Sequence, residues 1–319
     1  MLSGLPEPLR DAAIMQSGVI TRQQARSAGL SDEVMQFHVQ RGRWRRVHAG
    51  VYVVFSGPLD REAALWAAVL RAGRDAVLSH HSAAELDGLI DKPAPTIHVT
   101  IPATRRVAAF RGVVVHSRLG IERASHRARL PPRTRVEETV LDLAESSADL
   151  PDAIAWITLA IGRRLTKQDL LRDALMFRPR FPWRSDLELL LGPDADGIQS
   201  LLEYRYFRYV ERPHGLPAGR RQARVLGHGR PRYRDVLYDD FGLVVELDGR
   251  LAHPTEARWR DIHRDNAAAA DGAISLRYGH GDLTATPCLV AVQIGQVLTL
   301  RGWRGSLRPC SSSCPVRRS

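Results

Sequence analysis

The chain has 319 residues, 44% of them hydrophobic and 25% charged, which is the composition of a globular protein with room for two or three domains. Its formal net charge of +11 favours a polyanionic partner, since each neutralised phosphate releases counterions, although a general bias towards arginine would also give such a charge. No apolar run reaches the roughly 18 residues of a membrane span, the N-terminus lacks a secretory signal, and all three cysteines lie in the last tenth of the chain. We therefore predict a cytoplasmic protein without a membrane partner.

Three helices followed by a β-hairpin are predicted in residues 1–56. Thr21 and Ser31 are good N-cap residues for the second and third helices, and Gly29 and Gly42 are placed to end them. Two short strands, WRRVHAG and VYVVF, then meet at a glycine. This order of elements is that of a winged helix-turn-helix, so the segment is predicted to be a DNA-binding domain of that kind.

Residues 57–182 mix helical and extended patterns and are predicted to form a central α/β domain. The helical patterns are DREAALWAAVLRAG, HHSAAELDGL, PRTRVEETVLDLAESS, DAIAWITLAIGRR and TKQDLLRDALM, and the extended ones are TIHVTIP and GVVVHS. His80 and His81 open the second of these helices, where we expect them to cap or pack rather than to bind a ligand. The proline-containing stretch FRPRFPWRS predicts a break before the last domain.

Residues 190–308 are predicted to fold as helix, three strands, helix, strand and helix, with residues 309–319 as a flexible tail. This order implies a mixed sheet covered by helices, and the whole chain is predicted to be a mixed α+β protein of several domains. The first helix interleaves Arg205 and Arg208 with aromatic residues that are suited either to a core or to stacking on bases. These aromatic residues are Tyr204, Tyr206, Phe207 and Tyr209.

Three acidic residues stand out in the segment RYRDVLYDDFGLVVELDG. Glu246 and Asp248 are two positions apart at the end of a strongly apolar strand, so they project from the same face of it. A short turn can place Asp235, on the preceding strand, beside them. Clustered carboxylates repel one another unless a cation compensates, and hard oxygen donors suit Mg²⁺ or Mn²⁺. The segment therefore predicts a metal site formed by Asp235, Glu246 and Asp248.

The spacing D-x(10)-E-x-D-G, followed by His253, resembles the core of PD-(D/E)xK nucleases, and in particular a domain family related to the very-short-patch repair (Vsr) endonucleases. The resemblance extends over roughly residues 195–305 and includes Glu203 on the first helix, the stretch WRDIHRDN and Arg277 in LRYG. It implies a restriction-endonuclease-like fold and metal-dependent cleavage of phosphodiesters. The implied catalytic residues are Glu203, Asp235, Glu246, Asp248, His253 and Arg277.

One position departs from the nuclease pattern. The lysine expected two residues after the motif glutamate is Asp248 here, and no lysine follows Lys167 anywhere in the chain. Orientation of the attacking water and stabilisation of charge would then fall to Arg277, His253 or Arg264, or would be absent. The related repair nucleases also lack this lysine.

The segment GVITRQQARSAGLSDEVMQFHVQRGRWRRVHAGVYVV resembles the winged-helix domain of AbiEi-family antitoxins, and residues 57–182 resemble the middle region of the same proteins. On the third helix, Val34 and Phe37 are predicted to face the core. The exposed side of this helix would enter the major groove, and the hairpin would contact phosphates. The predicted DNA-binding residues are Gln36, His38, Arg41, Arg43, Arg45 and Arg46.

The cysteines leave two interpretations open. Cys310 and Cys314 form a C-x(3)-C pair with Cys288 upstream, and His280 is available as a fourth zinc ligand. Alternatively, the pair lies in a flexible tail without a metal, which is the interpretation the sequence favours.

Two functions are consistent with these patterns. In the first, the protein is an enzyme that binds DNA and hydrolyses it with Mg²⁺ or Mn²⁺ in its C-terminal domain. In the second, it is an antitoxin-like transcriptional autoregulator with a cognate toxin as a candidate partner, and its nuclease-like domain is inactive or serves binding only.

Overall fold

The computed structural model describes residues 4–126, 128–195, 198, 200–227, 230–248 and 274–316. The chain is a mixed α and β protein that divides into two compact units. The first comprises Met1–Ser147 with Arg163–Thr166, and the second comprises Ala148–Gly162 with Lys167–Ser319. Among the described residues, no helix combines the length and the apolar character needed to cross a membrane.

The N-terminal part of the first unit contains the three predicted helices and the predicted hairpin. Thr21 caps the second helix with a reciprocal capping box to Gln24, and Ser31 caps the third, as predicted. A short strand before the second helix was not predicted, and it completes a three-stranded antiparallel sheet in the order β1-β3-β2. The elements are α1 Glu7–Met15, β1 Val19–Thr21, α2 Arg22–Ser27, α3 Asp32–Gln40, β2 Arg45–His48 and β3 Val51–Val53.

The face of α3 that packs on the core differs from the prediction. Met35 is the buried residue of the helix, while Val34 and Phe37 are 40% and 47% exposed. Trp44, just after the helix, is buried in the same core cluster as Met35. The prediction for Val34 and Phe37 was wrong because a nine-residue helix with apolar residues on several sides does not specify its own buried face.

The rest of the first unit is built on a five-stranded sheet in the order β6-β5-β4-β8-β7. One side of α4 packs Trp66 against the N-terminal sheet, and another packs Leu65 and Val69 against the larger sheet. The longer elements match the predicted helices and strands, whereas the two-residue strands and the four-residue helix Ile121–Ala124 were not predicted. The elements of this part of the chain are α4 Arg61–Ala72, β4 Val77–Leu78, α5 His80–Leu86, β5 Ile97–Pro102, β6 Val113–Arg118, α6 Ile121–Ala124, β7 Ser125–His126, β8 Arg133–Thr134 and α7 Val136–Glu145.

The second unit has a mixed four-stranded sheet in the order β12-β11-β10-β9. Before the sheet, the helix Leu201–Tyr206 continues into a π-helical segment, Phe207–Glu211. This segment continues into the short helix Arg212–His214, which ends at Gly215. The elements are α8 Leu150–Gly162, α9 Gln168–Met176, α10 Arg184–Leu190, α11 Leu201–Tyr206, α12 Arg212–His214, β9 Arg220–Gly227, β10 Arg230–Tyr238, β11 Leu243–Asp248, β12 Ile274–Gly279, α13 His280–Ala285 and α14 Pro287–Leu300.

The sheet of the second unit is antiparallel except at one edge. Strands β9, β10 and β11 pair antiparallel, and β12 pairs parallel with β11. The turn between β10 and β11 is a short 3-10 segment that closes at Gly242, whose φ of 54° lies in the left-handed region that suits glycine. The helices α11 and α14 cover one face of the sheet, with Tyr206, Val236, Val245 and Ile294 in the shared core.

Candidate functional site

Four arginines form an exposed basic surface at the end of α3 and along β2. These residues, Arg41, Arg43, Arg45 and Arg46, are called the arginine surface below. Within the described part of the chain, no acidic side chain forms an ion pair with any of them. Among the described residues, the only close aromatic partner of these arginines is Phe37, whose ring centroid lies 5.4 Å from the guanidinium carbon of Arg41. The surface can therefore accept an external anion without first breaking an internal ion pair.

The exposed side of α3 differs in detail from the predicted one. Gln36 is exposed, as expected for a residue that contacts a ligand. His38 is half-buried, and its ring stacks on Trp44 with centroids 4.9 Å apart, so it packs the hairpin against the helix. Asp32 forms ion pairs with Arg22 and Arg26, which holds α2 and α3 together.

The pairing of β10 with β11 determines where the predicted acids lie. The paired Cα positions run from Tyr238 and Leu243 to Val236 and Val245, and Asp235 and Glu246 come directly next to this last pair on their strands. At that point the Leu247 N–H donates to Asp235 Oδ2 at 2.7 Å, so a side chain takes the place of a backbone acceptor. The two acids thus lie at the same end of the β10–β11 pairing, on strands that the short turn joins.

Glu246 has a cationic partner that sequence reasoning missed. Arg234 Nη1 donates to Glu246 Oε1 at 2.7 Å, and the two side chains are only 9% and 19% exposed. A charge-assisted bond in such a partly buried setting is strong, because water competes with it poorly. The guanidinium of Arg234 therefore already supplies positive charge to one of the two neighbouring acids.

Glu203 lies in the first turn of α11 and is 4% exposed. Its Oε1 accepts hydrogen bonds from Ser200 Oγ and from Gln222 Nε2, each at 3.0 Å. Gln222 has a φ of 47°, and it lies opposite Asp235 in the β9–β10 register, between the paired positions Ala223–Arg234 and Arg221–Val236. A non-glycine residue in the left-handed region is uncommon, and such residues concentrate at functional sites. Gln222 thus connects Glu203 to β9, the strand that pairs with the one carrying Asp235.

Within the described ranges, the structure does not bring the remaining predicted site residues into one compact group. Asp248 is exposed at the end of β11, and Arg277 on β12 is level with Glu246 in the parallel register. Among the described residues, Asp235, Glu246 and Asp248 do not form a group whose ligand oxygens all lie within 4.8 Å of one another. His253 and the stretch WRDIHRDN lie outside the described residues. Because magnesium is commonly held by one or two carboxylates and several waters, the relevant pair is Asp235 and Glu246.

The aromatic residues of the α11 segment belong mainly to the core. Tyr204, Tyr206 and Phe207 are buried, so the core interpretation is correct for these three. Tyr209 is 41% exposed, and the guanidinium carbon of Arg208 lies 5.5 Å from its ring centroid.

A histidine cluster in the first unit was not predicted. The ring of His80 stacks on that of His116 with centroids 3.8 Å apart, and His98 Nδ1 lies 3.0 Å from His116 Nε2. Burial, together with the neighbouring His116 and His81, lowers the pKa of His98 to about 4. His80 itself has a φ of 49°, which is uncommon for a residue with a side chain. The N···N contact between His98 and His116 and the lowered pKa values of both side chains indicate that these two imidazoles are neutral.

Charged side chains adjoin this cluster on α7 and β6. Arg118 Nη2 donates to Glu138 Oε2 at 2.7 Å, and its Nη1 lies 3.5 Å from Asp142 Oδ1. Asp142 Oδ2 is also 4.0 Å from His80 Nδ1. The cluster could have been found from sequence only by noting that three histidines fall on elements the topology places side by side.

Comparison of the chain with models of known protein families gave no match, and comparison with curated proteins gave none either.

Proposed function

We propose that this protein binds DNA through its N-terminal helices and hairpin. The observation that supports this most strongly is the arginine surface, where four cations lie exposed and without an ion pair to any described residue. Side chains of this kind gain favourable contacts with phosphates because few internal interactions must be given up. The net charge of +11 acts in the same direction by raising the rate of encounter with a polyanion.

The order of elements suggests how the DNA is read. In a winged helix-turn-helix, the recognition helix contacts base edges, and the hairpin that follows contacts the backbone. Here α3 would take the first role with Gln36 on its exposed side, and β2 would take the second with Arg45 and Arg46. The half-buried His38 would support the helix instead of touching bases.

Salt dependence of DNA binding tests the proposal. Fluorescence anisotropy with a labelled duplex should give a linear fall of log K with log salt concentration. Each phosphate contact contributes about 0.9 to that slope. The double variant Arg43→Gln, Arg45→Gln should therefore reduce the slope by roughly 2.

The matched control removes the same charge elsewhere in the first unit. Arg106 and Arg111 are exposed, and the variant Arg106→Gln, Arg111→Gln should leave the slope close to that of the unchanged protein. An equal loss in both variants would refute a localised binding surface and leave only a general effect of net charge.

We further propose that the C-terminal sheet carries a phosphodiesterase site of the PD-(D/E)xK kind. Support comes from the adjacent positions of Asp235 and Glu246 on β10 and β11 and from the buried Glu203, which Gln222 connects to the same region. These oxygens fit Mg²⁺ or Mn²⁺, which when bound would activate water and neutralise charge on the phosphate. Asp235 and Glu246 would hold the ion, Glu203 and Asp248 would orient its shell, and Arg277 would face the phosphate.

A cleavage assay tests this second proposal. The full chain with Mg²⁺ or Mn²⁺ should convert supercoiled plasmid to nicked or linear forms, and Asp235→Asn should abolish the conversion. Asp240→Asn serves as the control, because Asp240 is exposed in the adjoining turn. Activity that persists in Asp235→Asn, or no cleavage with either metal, would contradict the assignment.

A DNA-binding regulator without nuclease activity is the alternative, and the Arg234–Glu246 pair favours it. That pair already compensates the Glu246 carboxylate, so the fold is satisfied without a metal. Under this alternative, footprints on the protein's own promoter would be unchanged in Glu246→Gln, and a cognate toxin would be the partner sought by co-purification.

A further inference from the structure

Three cysteines and one histidine converge from distant parts of the second unit. Cys288 lies in the first turn of α14, and Cys310 and Cys314 follow that helix near the end of the chain. His214 ends α12 and is completely buried. One ligand atom from each of the four residues lies within 4.8 Å of all the others.

The separations match those around a tetrahedral metal ion. Cys288 Sγ and Cys310 Sγ are 3.5 Å apart, and Cys314 Sγ lies 3.6 Å from His214 Nε2. A zinc ion with ordinary bond lengths holds two sulfurs about 3.8 Å apart and a sulfur and a nitrogen about 3.6 Å apart. A disulfide, by contrast, would require the sulfurs to be about 2.05 Å apart.

The histidine is oriented in the way expected of a metal ligand. His214 Nδ1 lies 2.9 Å from the Val210 carbonyl oxygen, so the ring donates its proton there. This hydrogen bond leaves Nε2 unprotonated and directed towards the Cys314 sulfur. An outer hydrogen bond that sets the tautomer in this way is a common feature of zinc-binding histidines.

The segment that carries the last two cysteines is held against the unit by other contacts. The Arg308 N–H donates to the His214 carbonyl oxygen at 2.8 Å, and Leu307 packs on the core. Gly295 of α14 makes room for Leu307, since a Cβ there would meet Leu307 Cδ1 at 2.7 Å. The cysteines are therefore brought to His214 by packing that does not depend on the thiols themselves.

We propose that His214, Cys288, Cys310 and Cys314 form a structural zinc site. Three thiolates and an imidazole are soft ligands that select Zn²⁺ over Mg²⁺ or Mn²⁺, and four protein ligands leave no open position for catalysis. The ion would link Cys288 to Cys310 across 22 residues and His214 to Cys314 across 100 residues. His280, which the sequence offered as the fourth ligand, is not part of this group, and it contacts Arg205 instead.

Metal analysis of the full chain, purified under reducing conditions without chelators, tests the proposal. Mass spectrometry of the metals should find about one zinc ion per chain. Cys310→Ser and Cys314→Ser should each lose most of it. Two variants serve as controls and should retain the zinc: His280→Gln, and Ser313→Ala between the two cysteines.

A spectroscopic measurement keeps the test decisive if the cysteine variants fail to fold. The unchanged protein, reconstituted with Co²⁺, should show thiolate-to-metal charge-transfer bands and the visible bands of tetrahedral cobalt. The proposal is overturned if the reduced protein contains no zinc and takes up no cobalt. A disulfide in place of three metal-bound thiols, or zinc retained in both cysteine variants, would also overturn it.

Discussion

At the scale of single residues, the most informative pair is Arg234 with Glu246. Sequence reasoning treats an acid at the end of an apolar strand as needing a cation, and it assigns that cation to a metal. The protein supplies a guanidinium from the neighbouring strand, 2.7 Å from Glu246 Oε1. Two cations would compete for one carboxylate, so Arg234 becomes the residue that controls whether a metal can bind there.

Replacing Arg234 distinguishes a metal site at Glu246 from an arginine pair that serves only the fold. Arg234→Gln should lower the free energy of unfolding by about 1–3 kcal/mol, because it leaves the partly buried Glu246 carboxylate without its charged partner. If Asp235 and Glu246 form a metal site, Mg²⁺ should restore part of that loss in the variant. Urea denaturation with and without Mg²⁺ measures both effects.

The control for this experiment is an exposed pair on the same sheet. Arg220 and Asp239 are joined by two hydrogen bonds, but both side chains are about half exposed. Arg220→Gln should therefore lower the free energy of unfolding much less than Arg234→Gln does, and the variant should not respond to Mg²⁺. A response of Arg234→Gln no larger than this would argue against a metal site at Glu246.

At the scale of elements, the sequence predicts most long helices and strands because their signals are local. Thr21 and Ser31 cap the helices they were expected to cap, and the apolar run before Glu246 forms the predicted strand β11. The two-residue strands β4, β7 and β8 have no such signal, since their pairing is imposed by neighbours distant in sequence.

The π-helical segment Phe207–Glu211 also depends on its surroundings. Arg221 forms an ion pair with the buried Glu211, and its guanidinium carbon lies 4.6 Å from the ring centroid of Phe207. The Tyr238 hydroxyl also donates to Glu211 Oε2 at 3.2 Å. These contacts come from β9 and β10, so the helix sequence alone gives no indication of the change in winding.

At the scale of the whole molecule, every histidine with a lowered pKa in the described part of the chain lies in the first unit. Burial lowers the pKa of His48, His81, His98 and His116, and for His98 the value is about 4. Between these lowered pKa values and the ordinary histidine pKa of 6.5, the unfolded chain binds a proton that the folded protein does not, and this lowers the free energy of unfolding. The full stability is therefore present above pH 6.5 and is lost as the pH falls towards 4.

Acidification should accordingly weaken the first unit. We expect its stability to decrease between pH 6.5 and about 4, and His98→Gln should reduce the size of that decrease. Urea titrations at several pH values, read by proteolysis and peptide mass spectrometry, follow the unit separately. His126→Gln, outside the stacked cluster, is the control, and an identical pH profile for His98→Gln and the unchanged protein would contradict this account.

The sequence by itself determined the mixed α and β composition, the caps and most long elements, the strong positive charge, and the two consecutive strands that carry Asp235 and Glu246. These features depend on periodicity, on residues near one another in the chain and on a short turn. Only the tertiary structure decided that Arg234 pairs with Glu246, that His98 meets His116, and that His214 faces the three cysteines. Those groups join positions far apart in sequence, and packing of the helices and sheets selects such contacts from many that composition allows.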